Sequence, residues 1–258
     1  MANKEIHIGD YVISETSRPY MIAEIGINHN GDINIAKKLM DAANATGWNN
    51  VKYQKRTPEL AVPEAQKSVP KSTPWGDMTY LEYKYRVEFE KPEYDIIDAY
   101  CKDKGMTWSA SPWDMPSLEF LLQYDVPYIK IASASNGRDE MIAEAAKSGK
   151  PVILSTGMTT MDEIDHAVEV LEKNGHGDYI LMHTNSAYPA PVKDLNMRMI
   201  QTLKDRFDCL VGYSGHEENL EPTIAAVVLG ACCIERHITL SHSMWGSDQK
   251  ASLEVHAM

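Results

Sequence analysis

The chain has 258 residues, of which 43% are hydrophobic, 24% charged and 8% aromatic. That mixture is globular, neither disordered nor fibrous. Twenty-five basic residues against 37 acidic ones leave a net charge of −12, which argues against a nucleic-acid partner, because phosphate neutralisation needs a basic face. No signal peptide is indicated, and no apolar run approaches the ~18 residues that span a bilayer, so a cytoplasmic protein with no membrane partner is expected. The four cysteines (Cys101, Cys209, Cys232, Cys233) show neither CxxC nor zinc spacing, which fits a reducing compartment.

In chain order, residues 5–14 read as a short hairpin, so that 1–18 form an N-terminal cap. Eight short apolar runs come next, at 20–25, 51–54, 106–111, 128–133, 151–155, 179–184, 209–214 and 232–237. Amphipathic helical patterns fall between or after them, at 33–46, 94–104, 117–124, 139–147, 161–174, 196–207 and 221–229. In the first of these, Ala36, Leu39, Met40 and Ala43 recur at helical spacing. Gly47, Gly105, Gly149 and Gly230 sit where such helices end. Strands alternating with helices imply parallel pairing, and eight units predict a single (β/α)8 TIM barrel over 1–258. The proline-rich stretch 55–91 is the one long connection, of a length that is often functional. The sequence stops where an eighth helix should begin. The expected eighth strand therefore needs cover from a longer chain or a second subunit.

Catalytic groups in such barrels lie at the C-terminal ends of the strands. Here those ends carry Glu24, Lys52, Gln54, Lys130, Ser133, Ser155, His183, Asn185, Ser186, Ser214, His216, Glu235 and His237, with Tyr188 just beyond. Outward lysines would meet apolar helix faces, so Lys52 and Lys130 are expected to point into the mouth. With the hydroxyls they would form an anion site for phosphate or carboxylate. The Ser155-Thr156-Gly157 turn could add backbone donors. A lone histidine is usually structural, but His216 and His237 on neighbouring strand ends suggest a metal pair completed by water or substrate. His29 and His183 are open between structural and orienting roles. Glu24 on an apolar strand reads either as a salt-bridge partner of Lys52 or as a general acid/base.

Taken together, IAEIGINHNGD, VKYQ, YIKIASAS, PVILSTGM, HTNSAYPAP, VGYSGH, IERHIT and GSDQKASLE resemble the N-acetylneuraminate (sialic acid) synthase family, in order over about residues 19–254. The resemblance implies a transferase of carbohydrate biosynthesis that condenses phosphoenolpyruvate with an N-acetylated aldose and water, releasing phosphate. It implies a divalent ion, Mn²⁺ first and Mg²⁺ or Co²⁺ as alternatives, held by His216 and His237, both counted as catalytic with Glu24. Phosphoenolpyruvate would be bound by Lys52, Gln54, Lys130, Ser133, Ser155 and Ser214. The sugar would meet Tyr188, Asp248, Asn185 and Ser186. Family members pair, so a homodimer is expected. The family's C-terminal antifreeze-like domain has no counterpart here, and HTNSAYP departs from the commoner HCTSTYP. Two alternatives stay open: a related synthase for another or phosphorylated aldose (3-deoxy-octulosonate type), and a non-catalytic or split remnant that binds phosphoenolpyruvate. Extra cationic residues near the far end of the sugar would favour a phosphorylated aldose. The sequence shows no clear cluster of them.

Overall fold

The computed structural model describes residues 2–258. Eight parallel strands form the expected barrel: Tyr20–Gly26, Asn50–Lys55, Thr107–Pro112, Ile129–Ile131, Val152–Ser155, Tyr179–Thr184, Leu210–Gly215 and Cys233–Thr239. They are numbered one to eight below. Main-chain ladders join neighbours all the way round from the third strand, through the first and eighth, to the fourth. The remaining seam, between strands three and four, is bridged by the buried Ser109 hydroxyl, which donates to the Tyr128 carbonyl at 2.8 Å.

The helices fall where their periodicity places them. Ile33–Ala45 buries Ala36, Leu39, Met40 and Ala43, while Asp139–Lys147 and Met161–Asn174 match the expected limits. Starts differ by a few residues because capping decides them. Reciprocal side-chain caps from Glu90 and Glu93 begin the next helix at Lys91, and the Asp114 carboxylate begins another at Met115. The seven barrel helices sandwich one apolar layer against the outer face of the strands.

The N-terminal hairpin, Ile6–Ile8 paired with Tyr11–Ile13, closes the barrel floor. Ile6, Ile8 and Ile13 pack there with Tyr20, Tyr128, Ile153, Ile180 and Leu210. The long connection 55–91 is not featureless. It folds into short helices Pro58–Ala61 and Glu64–Lys67, a hairpin of Pro70–Thr73 with Gly76–Thr79, and the helix Tyr80–Val87. The last begins at a Thr79–Glu82 capping box and buries Tyr83 and Val87, four residues apart.

No eighth helix follows strand eight among the described residues. Residues Leu253–Glu254 instead add a short parallel strand to its end, with Ile238 opposite Leu253, and Ala257 and Met258 pack on the core. That segment covers part of the flank expected to be bare. Ile224 and Val228 of helix Glu221–Val228 remain exposed. All four cysteines are free and buried, and among the described residues no helix is long and apolar enough to cross a membrane.

Because Ser109 makes the polar link across the open seam, Ser109→Ala should cost about 1–3 kcal/mol through the orphaned Tyr128 carbonyl. A urea midpoint unchanged from wild type would show that the seam does not depend on this bond.

Candidate active site

Parallel strands place all their C-terminal ends on one face, and alternate residues turn inward. The resulting mouth, enclosing about 610 Å³ with its solvent opening, is lined by Glu24, Lys52, Gln54, Lys130, Ser133, Ser155, Ser186, Tyr188, Ser214, His216 and His237. Eleven of the thirteen residues to which the resemblance gives roles therefore meet there. Asp248 joins them from the side, its carboxylate 3.9 Å from His237 Nδ1. Asn185 does not. Its side chain lines a neighbouring cavity and donates to the Asp194 carbonyl at 3.0 Å.

Four charges sit buried at the base of the mouth. Lys52 Nζ lies 2.6 Å from Glu24 and 3.7 Å from Glu235, and Lys130 Nζ lies 3.8 Å from Glu235. The salt bridge considered for Glu24 is thus present, and it lies within the site. Lys52 also donates to Ser111 at 2.9 Å, Lys130 to Ser155 at 2.6 Å, and Gln54 to Glu24 at 3.1 Å.

The two carboxylates differ in proton affinity. Burial pushes Glu24 up, with the Glu235 charge adding to it against the pull of Lys52. Burial acts on Glu235 in the same sense, but Lys130, Lys52 and His237 outweigh it and hold that carboxyl down to about 2. Burial also lowers Lys130, whereas in Lys52 the two carboxylates overcome it and raise the ammonium. Such a split between neighbouring carboxyls makes Glu24 the readier to take a proton and leaves Glu235 ionised. Sequence reasoning assigns no role to Glu235 or Ser111. Their inward register opposite the lysines is the signal that could have found them.

Hydrogen bonding fixes the form of His216. Its Nδ1 lies 2.6 Å from the Asn185 carbonyl, so that nitrogen carries the proton and Nε2 keeps its lone pair. Burial, and secondarily His237, lower its pKa to about 3. The Tyr188 hydroxyl stands 2.8 Å from His216 Nε2 and 3.4 Å from His237 Nε2. Both Nε2 atoms thus converge on one point. A neutral imidazole held by a carbonyl and presenting a lone pair there suits a divalent ion. Among the described residues no cluster of three or more His, Cys, Asp or Glu side chains closes round such a point, so water or substrate would complete the coordination.

Behind the mouth, outside the barrel wall, Arg236 and Glu217 form a wholly buried ion pair at 3.0 Å. Glu217 also accepts from Tyr213 at 2.8 Å, and Arg236 donates to Thr223 at 2.7 Å and to the Asn219 carbonyl at 3.0 Å. Each member is the chain neighbour of a site histidine. The Thr156 and Gly157 amides, expected as anion donors, are already spent on the Met182 carbonyl and the Ser133 hydroxyl. His29 and His183 are structural: His29 stacks on Phe89 at 3.9 Å and accepts from the Gly31 amide, while His183 donates to the Leu195 carbonyl.

Comparison with known proteins is decisive about kinship. Residues 39–258 match the model of the NeuB family. The chain belongs to the NeuB family. It is 40% identical over 240 residues to the N-acetylneuraminate-9-phosphate synthase of Drosophila melanogaster, covering 91% of this chain and 64% of that one. It is 37% identical to the N,N'-diacetyllegionaminic acid synthase of Campylobacter jejuni, with 91% and 71% covered. The crystal structure of an N-acetylneuraminic acid (sialic acid) synthetase from Leptospira borgpetersenii, in complex with citrate, superposes with a TM-score of 0.89 at 32% identity. That match covers 98% of this chain and 84% of the other. The chain thus spans somewhat less than two thirds of its Drosophila relative.

Removing one partner of a buried ion pair strands the other charge. Glu217→Ala should therefore cost about 3–5 kcal/mol, against at most about 1 kcal/mol for Lys91→Ala on the exposed Lys91–Asp95 pair. Equal losses in denaturant titrations would remove the special standing of the Glu217 pair.

His29 supplies a pH prediction. Burial, and then the Arg56 charge, lower its pKa from 6.5 to about 3, so the unfolded chain takes up its proton first. Its contribution to stability is complete above about 6.5 and is lost as the pH falls towards 3, by up to about 1.4 kcal/mol per unit. The fall in unfolding free energy from pH 7 to pH 5 should be smaller in His29→Gln than in wild type. An identical fall in both would exclude His29 as a source.

Proposed function

We propose that the protein condenses phosphoenolpyruvate with an N-acetylated aldose and water to give a nonulosonic acid and phosphate. The observation that carries this reading is the convergence, in one buried mouth, of two lysines with hydroxyls, two carboxylates of opposite proton affinity and two imidazoles aimed at a single point. The relatives named for neuraminate 9-phosphate and diacetyllegionaminate synthesis support an amino sugar as the second substrate.

In this mechanism Lys52, Lys130, Ser133, Ser155, Ser214 and Gln54 hold the phosphate and carboxylate of phosphoenolpyruvate. Charged donors in a site screened from water are worth far more than in bulk, and they need no reorganisation as charge moves. Tyr188, Asp248 and Ser186 face the aldose, and the Asn185 carbonyl keeps His216 in the required tautomer. A divalent ion such as Mn²⁺, held by His216 and His237, would supply a Lewis acid for the aldehyde oxygen and two positive charges.

C3 of the enol attacks the aldehyde carbon, forming the new carbon–carbon bond and leaving cationic character at C2. Glu24, the carboxylate with the raised proton affinity, takes a proton from the water that adds at C2. The tetrahedral intermediate then collapses: its C2 hydroxyl becomes the keto group and gives its proton to the departing phosphate as the C2–O bond breaks, while Glu24 returns the water proton to the former aldehyde oxygen, which ends as a hydroxyl. Glu235 stays ionised throughout and keeps both lysines charged.

Phosphate release from phosphoenolpyruvate, assayed with Mn²⁺ and with N-acetylmannosamine, N-acetylmannosamine 6-phosphate, mannose or no sugar, tests the reaction. Release should require a sugar and should stop with chelator. Glu24→Gln should lower kcat by about two to four orders of magnitude while phosphoenolpyruvate still binds. Full turnover in that variant would exclude Glu24 as the proton carrier, and no release with any sugar would defeat the synthase reading.

A further inference from the structure

Arg56 is a buried charge that the mechanism leaves unused. It directly follows strand two and is only 4% exposed. Its guanidinium lies over the Trp113 ring, 4.7 Å from the ring centre. The backbone of that residue is tied down on both sides. The Trp113 amide donates to the Lys55 carbonyl at 3.0 Å, and the Trp113 carbonyl accepts from Arg138 at 2.9 Å. Ion pairing does not account for the burial of Arg56. Glu88 stands 3.9 Å from Arg56 Nη1 and is taken by Lys55 at 3.2 Å and by the Arg56 amide at 2.9 Å. A buried charge so loosely paired costs stability, and its retention points to a task.

The task lies in the hydrogen bond that the guanidinium makes towards the mouth. Arg56 Nη2 donates to Gln54 Oε1, and Gln54 Nε2 donates in turn to Glu24 Oε1 at 3.1 Å. The two ends of an amide have nearly the same shape, so on steric grounds either could face Glu24. Arginine has donors only. It therefore claims the Gln54 oxygen and leaves the amino group facing the carboxylate, and its charge polarises the amide so that the second bond strengthens. Lys52, 2.6 Å from Glu24 Oε2, is also a donor only. Both oxygens of Glu24 are thus met by groups that cannot accept a hydrogen bond. A proton on Glu24 finds no acceptor in Gln54 or Lys52, and its O–H turns towards the mouth.

We propose that Arg56 is a positioning residue that acts through Gln54: by making that amide a donor only, it aims the proton carried by Glu24 at the substrates. This rests on the reading of Glu24 as the proton carrier. Without Arg56 the amide is free to turn over and accept from a protonated Glu24, which holds the proton away from the reacting atoms. Arg56 does not itself line the mouth, whereas Gln54 and Trp113 do.

Arg56→Met removes the donor and keeps an unbranched side chain for the Trp113 ring. Its kcat for phosphate release should fall by about ten- to a hundredfold, the cost of a misplaced reacting group, while calorimetry shows phospholactate bound as in wild type. Two double-mutant cycles decide whether the loss runs through the relay. Added to Glu24→Gln or to Gln54→Met, Arg56→Met should lower kcat no further, because the group it aims or the amide it turns is already gone. A merely structural role for Arg56 gives a further loss in both backgrounds. Unchanged kcat in Arg56→Met, or losses that add in full in either cycle, overturns the proposal. Gln54→Glu is a check that does not need Arg56→Met to fold. Its carboxylate keeps Arg56 paired but offers Glu24 no N–H, so turnover should fall, and full turnover overturns the proposal as well. Full turnover in Glu24→Gln, or none in wild type, sinks the proton-carrier reading and the role of Arg56 with it. A disabled Glu24→Gln beside an unaffected Arg56→Met sinks the role of Arg56 alone.

Discussion

The structure is organised around two carboxylates and two ammonium groups buried together at the barrel mouth. Each ion alone would cost several kcal/mol to bury, and buried pairs return little net stability even when well formed. The fold can hold them because each strand end contributes one group at a fixed height. Glu24 pairs in register with Lys52 on the neighbouring strand, and Ser214 with Glu235. The surroundings conform to this arrangement. A side chain at Gly26 would press on the Glu24 carboxylate, on His237 and on Gln54, each 3.2–3.3 Å from its Cβ, and the backbone there has a φ of +53° that only glycine adopts freely. The ladder with strand two is irregular between Glu24 and Gly26, at the point where the first strand reaches the pocket.

Equal numbers of positive and negative groups do not make them equivalent. Glu235 accepts from Ser214 at 3.0 Å and faces both lysines. Glu24 has one lysine, an amide and a rival carboxylate to contend with. Of the two carboxyls, Glu24 is therefore the readier to take a proton. The mouth can thus hold a proton on one carboxyl while the other stays charged beside both lysines.

Most of this was legible from residue types and spacing. Strand periodicity located every barrel strand to within three residues at either end, because parallel strands covered on both faces are continuous apolar runs, and a lysine or glutamate closing such a run has only the mouth to face. What escaped is tertiary. Glu235 was visible at its strand end, but its task depends on which lysines lie opposite. The stretch 55–91 folds into short helices, a hairpin and a further helix that no periodicity among its prolines and tyrosines announced. Asn185, placed at the sugar by resemblance, offers its carbonyl to His216 Nδ1, a contact that no side-chain pattern advertises.

The same alternation that brings Glu235 and His237 into the mouth sends Arg236 out through the wall, where its pair with Glu217 clasps the ends of strands seven and eight. Through that pair the two histidine-bearing ends share one constraint on the dry side of the barrel. Their imidazole nitrogens both face the Tyr188 hydroxyl. A substituent at Gly215 would strike the Glu217 carboxylate, within 2.8 Å of its Cβ, so the clasp requires a bare backbone at the turn. The positions of the two histidines are thus braced from outside the pocket, which leaves the inner surface free to be lined by polar and charged side chains.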